Sequence, residues 1–159
     1  MTASTRSFAG FVFVASTLVL GAALLSQYWG GLAPCELCLK ERWPWDAALL
    51  IAALWFLLSG RIPGGWPAVV LALIFAAGAA LAFYHVGVEQ HWFAGPSSCT
   101  TNATAAQTID DLKRQLLATE PVLCDQVQWS FLGISLAGLN LIASAAMAII
   151  CLAAARRRA

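Results

Sequence analysis

Five cysteines carry the reactive chemistry available to this chain: Cys35, Cys38, Cys99, Cys124 and Cys151. Cys35-Glu36-Leu37-Cys38 is a Cys-x-x-Cys pair. That spacing permits a strained, readily reduced disulfide and lowers thiolate pKa values in redox motifs. A structural zinc site would need a second ligand pair at matching spacing. Cys99 and Cys124 are too widely separated to supply it, and the two histidines, His85 and His91, flank the end of an apolar run. Redox chemistry is therefore expected here and a metal is not. Arg42 follows Cys38 by one helical turn, so a short helix over Cys35 to Arg42 would set a guanidinium on the Cys38 face. There it would favour a thiolate and hold a bound anion. Pro34 and Pro44 bracket this segment and limit its helix to roughly two turns.

Cys99 and Cys124 most simply form a second disulfide. Closing such a loop restrains the unfolded chain by about 3 kcal/mol in the chain-entropy model, so a purely structural crosslink is one reading. The other is exchange: a thiolate released from one disulfide attacks the other when the two lie on one face. Oxidised cysteines imply a periplasm-like compartment. Cys151, surrounded by apolar residues, reads as an inert thiol.

The elements that must position these sulfurs are membrane spans. The chain has 159 residues, 60% of them apolar and only 11% charged, where a soluble domain carries about 25% charged residues. A water-soluble globule and a disordered chain are both excluded. A nucleic-acid partner has no support, because no basic stripe with interleaved aromatics exists. Phe8 to Tyr28 is charge-free and, as a helix, about 31 Å long. It is too long for the apolar part of a signal peptide, and no small-x-small cleavage site follows Leu25. Trp66 to Val88 and Trp129 to Leu152 are also charge-free and long enough. A shorter second run starts at Pro44, a favoured first-turn residue, and gives a span of about 16 residues. The expectation is an all-α membrane protein: one domain, residues 1–159, built as a four-helix transmembrane bundle with spans of about 8–28, 44–59, 66–88 and 129–152.

Four spans put both termini on one face and the loops 29–43 and 89–128 on the other. Arg6, Arg61 and Arg156 to Arg158 lie in segments without acids, whereas all eight acids fall between Glu36 and Asp125. The net charge of +1 hides this division. Arginines directly after the last span favour a cytoplasmic tail, which makes the cysteine loops periplasmic. Within the second loop, Thr104 to Thr119 reads as a short surface helix. Ile109, Leu112, Leu116 and Leu117 share one face, with Asp110 and Asp111 early and Lys113 and Arg114 later.

Pro34-Cys35-Glu36-Leu37-Cys38 with Glu41-Arg42, then Tyr84-His85-Val86-Gly87-Val88-Glu89 and Gly95-Pro96-Ser97-Ser98-Cys99, resembles the DsbB family. These are bacterial inner-membrane, multi-pass disulfide bond formation proteins. The resemblance covers about residues 8–152. It implies a protein dithiol:quinone oxidoreductase that reoxidises a periplasmic thioredoxin-fold protein of the DsbA type. It also implies ubiquinone or menaquinone as the electron acceptor. By the same resemblance Cys99 is attacked by the partner's thiolate, with Cys124 as its loop partner. Cys124 then attacks Cys35 and leaves Cys38 as a thiolate beside the quinone, with Arg42 and His85 as quinone contacts. Glu89 stands where the family often has Gln. The competing reading is a non-enzymatic four-span scaffold with a structural Cys99–Cys124 bond. Vitamin K epoxide reductases do similar chemistry, but their Cys-x-x-Cys lies in the last helices, whereas here it follows the first span.

Overall fold

The computed structural model describes residues 2–58, 65–96, 99, 108–110, 113 and 122–157. The first helix, α1, runs Thr2–Tyr28, earlier than the expected start at Phe8. Arg6, six residues before the first buried valine, does not break it. Its guanidinium lies over the Phe56 ring at 4.6 Å, a cation–π contact that replaces part of its hydration. The helix ends where Trp29 and Gly30 both donate to the Leu25 carbonyl and Gly31 takes a positive φ of 67°, the left-handed turn that glycine supplies without steric cost.

A single-turn helix, α2 (Glu36–Lys40), follows, and α3 (Arg42–Leu58) continues after Glu41. Pro44 sits inside the first turn of α3, where its missing N–H would have had no partner. The helix therefore starts at Arg42, two residues before the expected position. The next helix, α4, spans Trp66–Glu89 with Pro67 in its first turn.

The last run departs from the expectation of helix throughout. Ser130–Phe131 (β1) pairs antiparallel with Ile134–Ser135 (β2), and only then does α5 begin, at Leu136–Arg156. Leu132 and Gly133 both have positive φ, 52° and 81°, the pattern of a two-residue primed turn whose twist suits a hairpin. Ser135 then caps α5, its Oγ accepting from the Gly138 N–H at 3.1 Å. Of the expected surface helix Thr104 to Thr119, residues 108–110 and 113 are described, and Ile109, Asp110 and Lys113 are helical and exposed. The rest of that helix lies outside the described residues.

Among the described residues, three helices are long and apolar enough to cross a membrane: Thr5–Tyr28, Trp66–Glu89 and Leu136–Arg156. Helix α3, with 17 residues, reaches about 26 Å. The core is built from small residues and a few large rings. Ala9 and Val12 of α1, Trp45, Ala48, Ala52 and Trp55 of α3, Leu71 and Phe75 of α4, and Met147 and Cys151 of α5 are buried together. Alanines let the helices approach closely and the rings fill the remaining space, as in membrane helix packing. Trp45 meets Phe75 edge to face at 4.9 Å. Leucines such as Leu18, Leu57 and Leu73 point outward. In water that arrangement would waste their burial; in lipid it costs nothing.

Candidate redox site

One end of the bundle collects α2, the first turn of α3, the last turns of α4 and the start of α5. Cys35 is the N-cap of α2, with extended backbone angles of −73° and 172°, the region to which other caps also belong. Its Sγ accepts from the Cys38 N–H at 3.2 Å. One helical turn on, the Cys38 Sγ lies 2.8 Å from the Cys35 Sγ. Both are free thiols here, Cys35 buried and Cys38 half-buried. The pair divides its proton unequally. The hydrogen bond from the Cys38 sulfur pulls the Cys35 thiol down to about 4, with help from His85 and the Cys38 N–H and against the cost of burial. Cys38 is pushed up, first because it shares its proton with Cys35, then by burial and by the charge beside it. Of the two sulfurs, Cys35 is the one whose surroundings favour the thiolate.

From Cys35 a buried polar chain runs inward across three helices. His85 of α4 places Nε2 3.6 Å from the Cys35 Sγ. Its Nδ1 lies 2.6 Å from Glu41 Oε1. A carboxylate only accepts, so Nδ1 carries the proton and Nε2 is turned to the sulfur. The other oxygen of Glu41 accepts from Asn140 Nδ2 at 2.6 Å. Asn140 Oδ1 in turn accepts from Trp45 Nε1 at 2.8 Å and from the Ser144 hydroxyl at 3.4 Å. His85 is 3% exposed and Glu41 6%. A carboxylate this far from water is tolerated because both its oxygens are hydrogen-bonded. Sulfur, imidazole and carboxylate thus have the order of an activated-nucleophile triad.

Cys99 and Cys124 form a disulfide with their Cα atoms 5.2 Å apart, and the Cys124 N–H donates to the Cys99 carbonyl. They do not stand out in a loop. Cys99 is 2% exposed and Cys124 0%, and both pack with Cys35, Leu37 and Val88 in one apolar cluster. Cys38, Leu81, Tyr84 and Val122 close its sides. Although the pair belongs to the long loop 89–128, apolar contact with the end of α4 draws it in. Phe93 helps to make this end compact, since it folds back over Gly87, where any Cβ would overlap its ring.

The remaining candidates are placed as follows. Arg42 donates from Nη1 to Gln27 Oε1 at 2.8 Å, so its hydrogen bond ties α3 to the end of α1 rather than running to Cys38. Glu89 accepts from the Ser135 hydroxyl at 2.5 Å, joining the end of α4 to the cap of α5. Cys151 is buried in the main core. A groove of about 450 Å³ opens between Trp43 and Ala47 of α3 and Ile74, Ala77 and Leu81 of α4, below Lys40. Its Leu81 also packs against the cysteine cluster. Glu41 and Asn140 had no assigned part in the chemistry before the structure. Asn140 had a signal, an amide inside a charge-free apolar run, where a polar group is costly and needs a partner.

Comparison with known proteins identifies the family. The family model described as "Disulfide bond formation protein DsbB" matches residues 5–154. The chain is 30% identical over 156 residues to disulfide bond formation protein B of Stutzerimonas stutzeri (strain A1501), covering 94% of each. It is 31% identical over 149 residues to the protein of the same name from Marinobacter nauticus, covering 85% of this chain and 82% of that one. No solved structure matches the chain. With both sulfur pairs in one cluster, membrane-length helices around it, and a match over nearly the whole sequence, the chain is a multi-pass helical membrane protein and belongs to the DsbB family of disulfide bond formation proteins.

Proposed function

We propose that the chain is an inner-membrane dithiol:quinone oxidoreductase. It takes two electrons from a periplasmic DsbA-like dithiol at Cys99–Cys124, passes them to Cys35–Cys38, and delivers them to a membrane quinone. The observation that carries this reading is the common cluster of Cys35, Cys99 and Cys124, with Cys38 at its edge. Sulfur exchange between the pairs then needs a side-chain rearrangement and no journey through water. The reading includes four spans, with α3 as the short one, cytoplasmic termini, and the α2 end of the bundle in the periplasm.

The residues do the following work. The partner's thiolate bonds to the Cys99 Sγ, the Cys99–Cys124 bond breaks, and Cys124 leaves as a thiolate. Cys124 then bonds to Cys35 of an oxidised Cys35–Cys38 pair, and Cys38 leaves carrying the electron pair. The partner's second thiolate displaces Cys99, which releases the partner as a disulfide. When Cys99 reforms its bond to Cys124, Cys35 is freed and the Cys-x-x-Cys holds both electrons. His85 Nε2, 3.6 Å from the Cys35 Sγ, holds the proton that Cys35 gives up, and Glu41 keeps the ring in that orientation. The two thiol protons of the partner balance the two that reduction of a quinone consumes.

A bound quinone supplies the two-electron acceptor that the protein itself lacks. The residues fit such a group: the groove under Lys40 is almost wholly apolar, and it meets the cysteine cluster at Leu81. Lys40 is the donor on its lining, whereas Arg42 and His85, the contacts that the resemblance implies, stand outside that lining and hydrogen-bond to Gln27 and to Cys35 and Glu41. The near-complete burial of Cys99 and Cys124 also suits the structural-crosslink reading, but a bare scaffold gives no reason for a buried Cys35–His85–Glu41 chain. One assay separates them. Purified protein is mixed with a reduced thioredoxin-fold donor and ubiquinone or menaquinone, and quinone absorbance is followed. Turnover is expected, lost in Cys38→Ser and in Cys99→Ser. Full activity in either variant refutes the assigned route, and absence of turnover in the native chain favours the scaffold.

A further inference from the structure

The same three side chains that serve the redox pair also have the donor set of a metal site. Cys35 Sγ, Cys38 Sγ and His85 Nε2 all lie within 4.8 Å of one another. Zinc binds thiolate at about 2.3 Å and imidazole at about 2.0 Å in tetrahedral geometry, which sets sulfur and nitrogen about 3.5 Å apart. The observed Cys35 Sγ to His85 Nε2 separation is 3.6 Å. The two sulfurs, at 2.8 Å, must open by about 1 Å to span the same tetrahedron. Cys38 is half-buried, so its side chain has room to rotate for this.

A second observation points the same way. Metal-bound histidines almost always give their other ring N–H to a carboxylate, and that carboxylate is itself hydrogen-bonded. His85 Nδ1 stands 2.6 Å from Glu41 Oε1, and Asn140 donates to Glu41 Oε2. The support expected behind a metal-bound imidazole is therefore already built, with Nε2 left facing the sulfurs. Two thiolates and an imidazole are soft donors, which select zinc-like ions over magnesium or calcium.

We propose that Cys35, Cys38 and His85, backed by Glu41, bind a thiophilic divalent cation such as Zn2+ when the Cys-x-x-Cys is reduced. Binding releases the Cys38 thiol proton and the proton that Cys35 gives up to His85 Nε2, and forms two metal–sulfur bonds and one metal–nitrogen bond; no electron moves because the ion keeps its charge. The disulfide form has no free thiolate and does not bind. An ion held there occupies both sulfurs and halts turnover until a chelator removes it; the inhibition, unlike the binding, rests on the oxidoreductase reading.

The test uses the full-length chain with Cys99→Ser and Cys124→Ser, reduced or oxidised at Cys35–Cys38, with Cd2+ as the spectroscopic probe of thiolate–metal charge transfer and Zn2+ in chelator competition. One ion per reduced chain and none per oxidised chain are expected. His85→Ala should weaken binding at least tenfold. Glu41→Gln, a gentler change that keeps the shape of the site, should weaken it by about 10- to 100-fold. Cys151→Ser should change nothing. The proposal is overturned if the reduced chain retains no ion, if oxidised and reduced chains bind alike, or if both His85→Ala and Glu41→Gln bind as tightly as the parent. Quinone turnover is measured separately on the native chain. Binding without turnover would sink the oxidoreductase reading alone, and turnover without binding would sink the metal site alone.

Discussion

Replacing Glu41 by Gln tests the buried chain most directly. The amide keeps the size of the side chain and can still accept from Asn140, but it removes the charge that faces His85. The lost interaction is a buried, charge-assisted hydrogen bond of 2.6 Å, of a kind worth about 1.5–3 kcal/mol. One pKa unit corresponds to about 1.4 kcal/mol. If that energy reaches Cys35 through the imidazole, the Cys35 thiol rises by about one to two units from its starting point near 4. The sign follows from the thiolate being the favoured form. Its advantage is complete at neutral pH and is lost as pH falls, so the variant loses its thiolate at a higher pH than the parent. The groups facing the Cys35 sulfur are Cys38 from α2 and His85 from α4, with Glu41 behind the ring and Glu89 one turn further along α4. The assay is thiolate ultraviolet absorbance against pH, in chains carrying Cys99→Ser and Cys124→Ser. A midpoint within a few tenths of the parent's would refute the idea that Glu41 acts on the sulfur through His85.

Three further outcomes are expected. Arg42→Ala frees Gln27 from its hydrogen bond and should raise the KM for quinone several-fold while leaving the KM for the protein donor within twofold, measured by varying each substrate in turn. Gly87→Ala forces a methyl group into the Phe93 ring and should cost about 1–3 kcal/mol, as overpacking does, seen as a lower Tm in detergent. Ser135→Ala removes both the cap of α5 and the partner of Glu89. It should destabilise the fold by about 1 kcal/mol, as loss of a cap does, and speed hydrogen exchange at Gly138.

What was readable in advance follows the range of the interactions involved. Hydropathy identified the long helices because each is a local, charge-free run. Cysteine spacing identified two pairs because a Cys-x-x-Cys is a local object too. The contact of Cys35 with His85, fifty positions away, rests on how α2 meets α4, and no spacing encodes that. Glu41 was visible only as a neighbour of Arg42, and its bond to Asn140 joins opposite halves of the chain. The hairpin at Ser130–Ser135 was hidden because Phe131, Leu132 and Ile134 look like more of the apolar helix. Only Gly133 with a cap serine two positions later hinted at a turn. The burial of Cys99 and Cys124 escaped for the opposite reason: the polar residues around them suggested an outlying loop, while the sulfurs themselves prefer the apolar end of α4.

That burial has a consequence for selectivity. Sulfur exchange requires an attacking thiolate to reach a disulfide sulfur along its bond axis, and access limits its rate as much as nucleophilicity does. With Cys99 2% exposed and Cys124 fully enclosed, a small thiol colliding at random finds almost no sulfur to strike. A protein able to displace the cover finds one. On the proposed route the packing would therefore filter against electron leakage, admitting donors that bind long enough to open the cluster and turning away the pool of free thiols, whatever their reducing power.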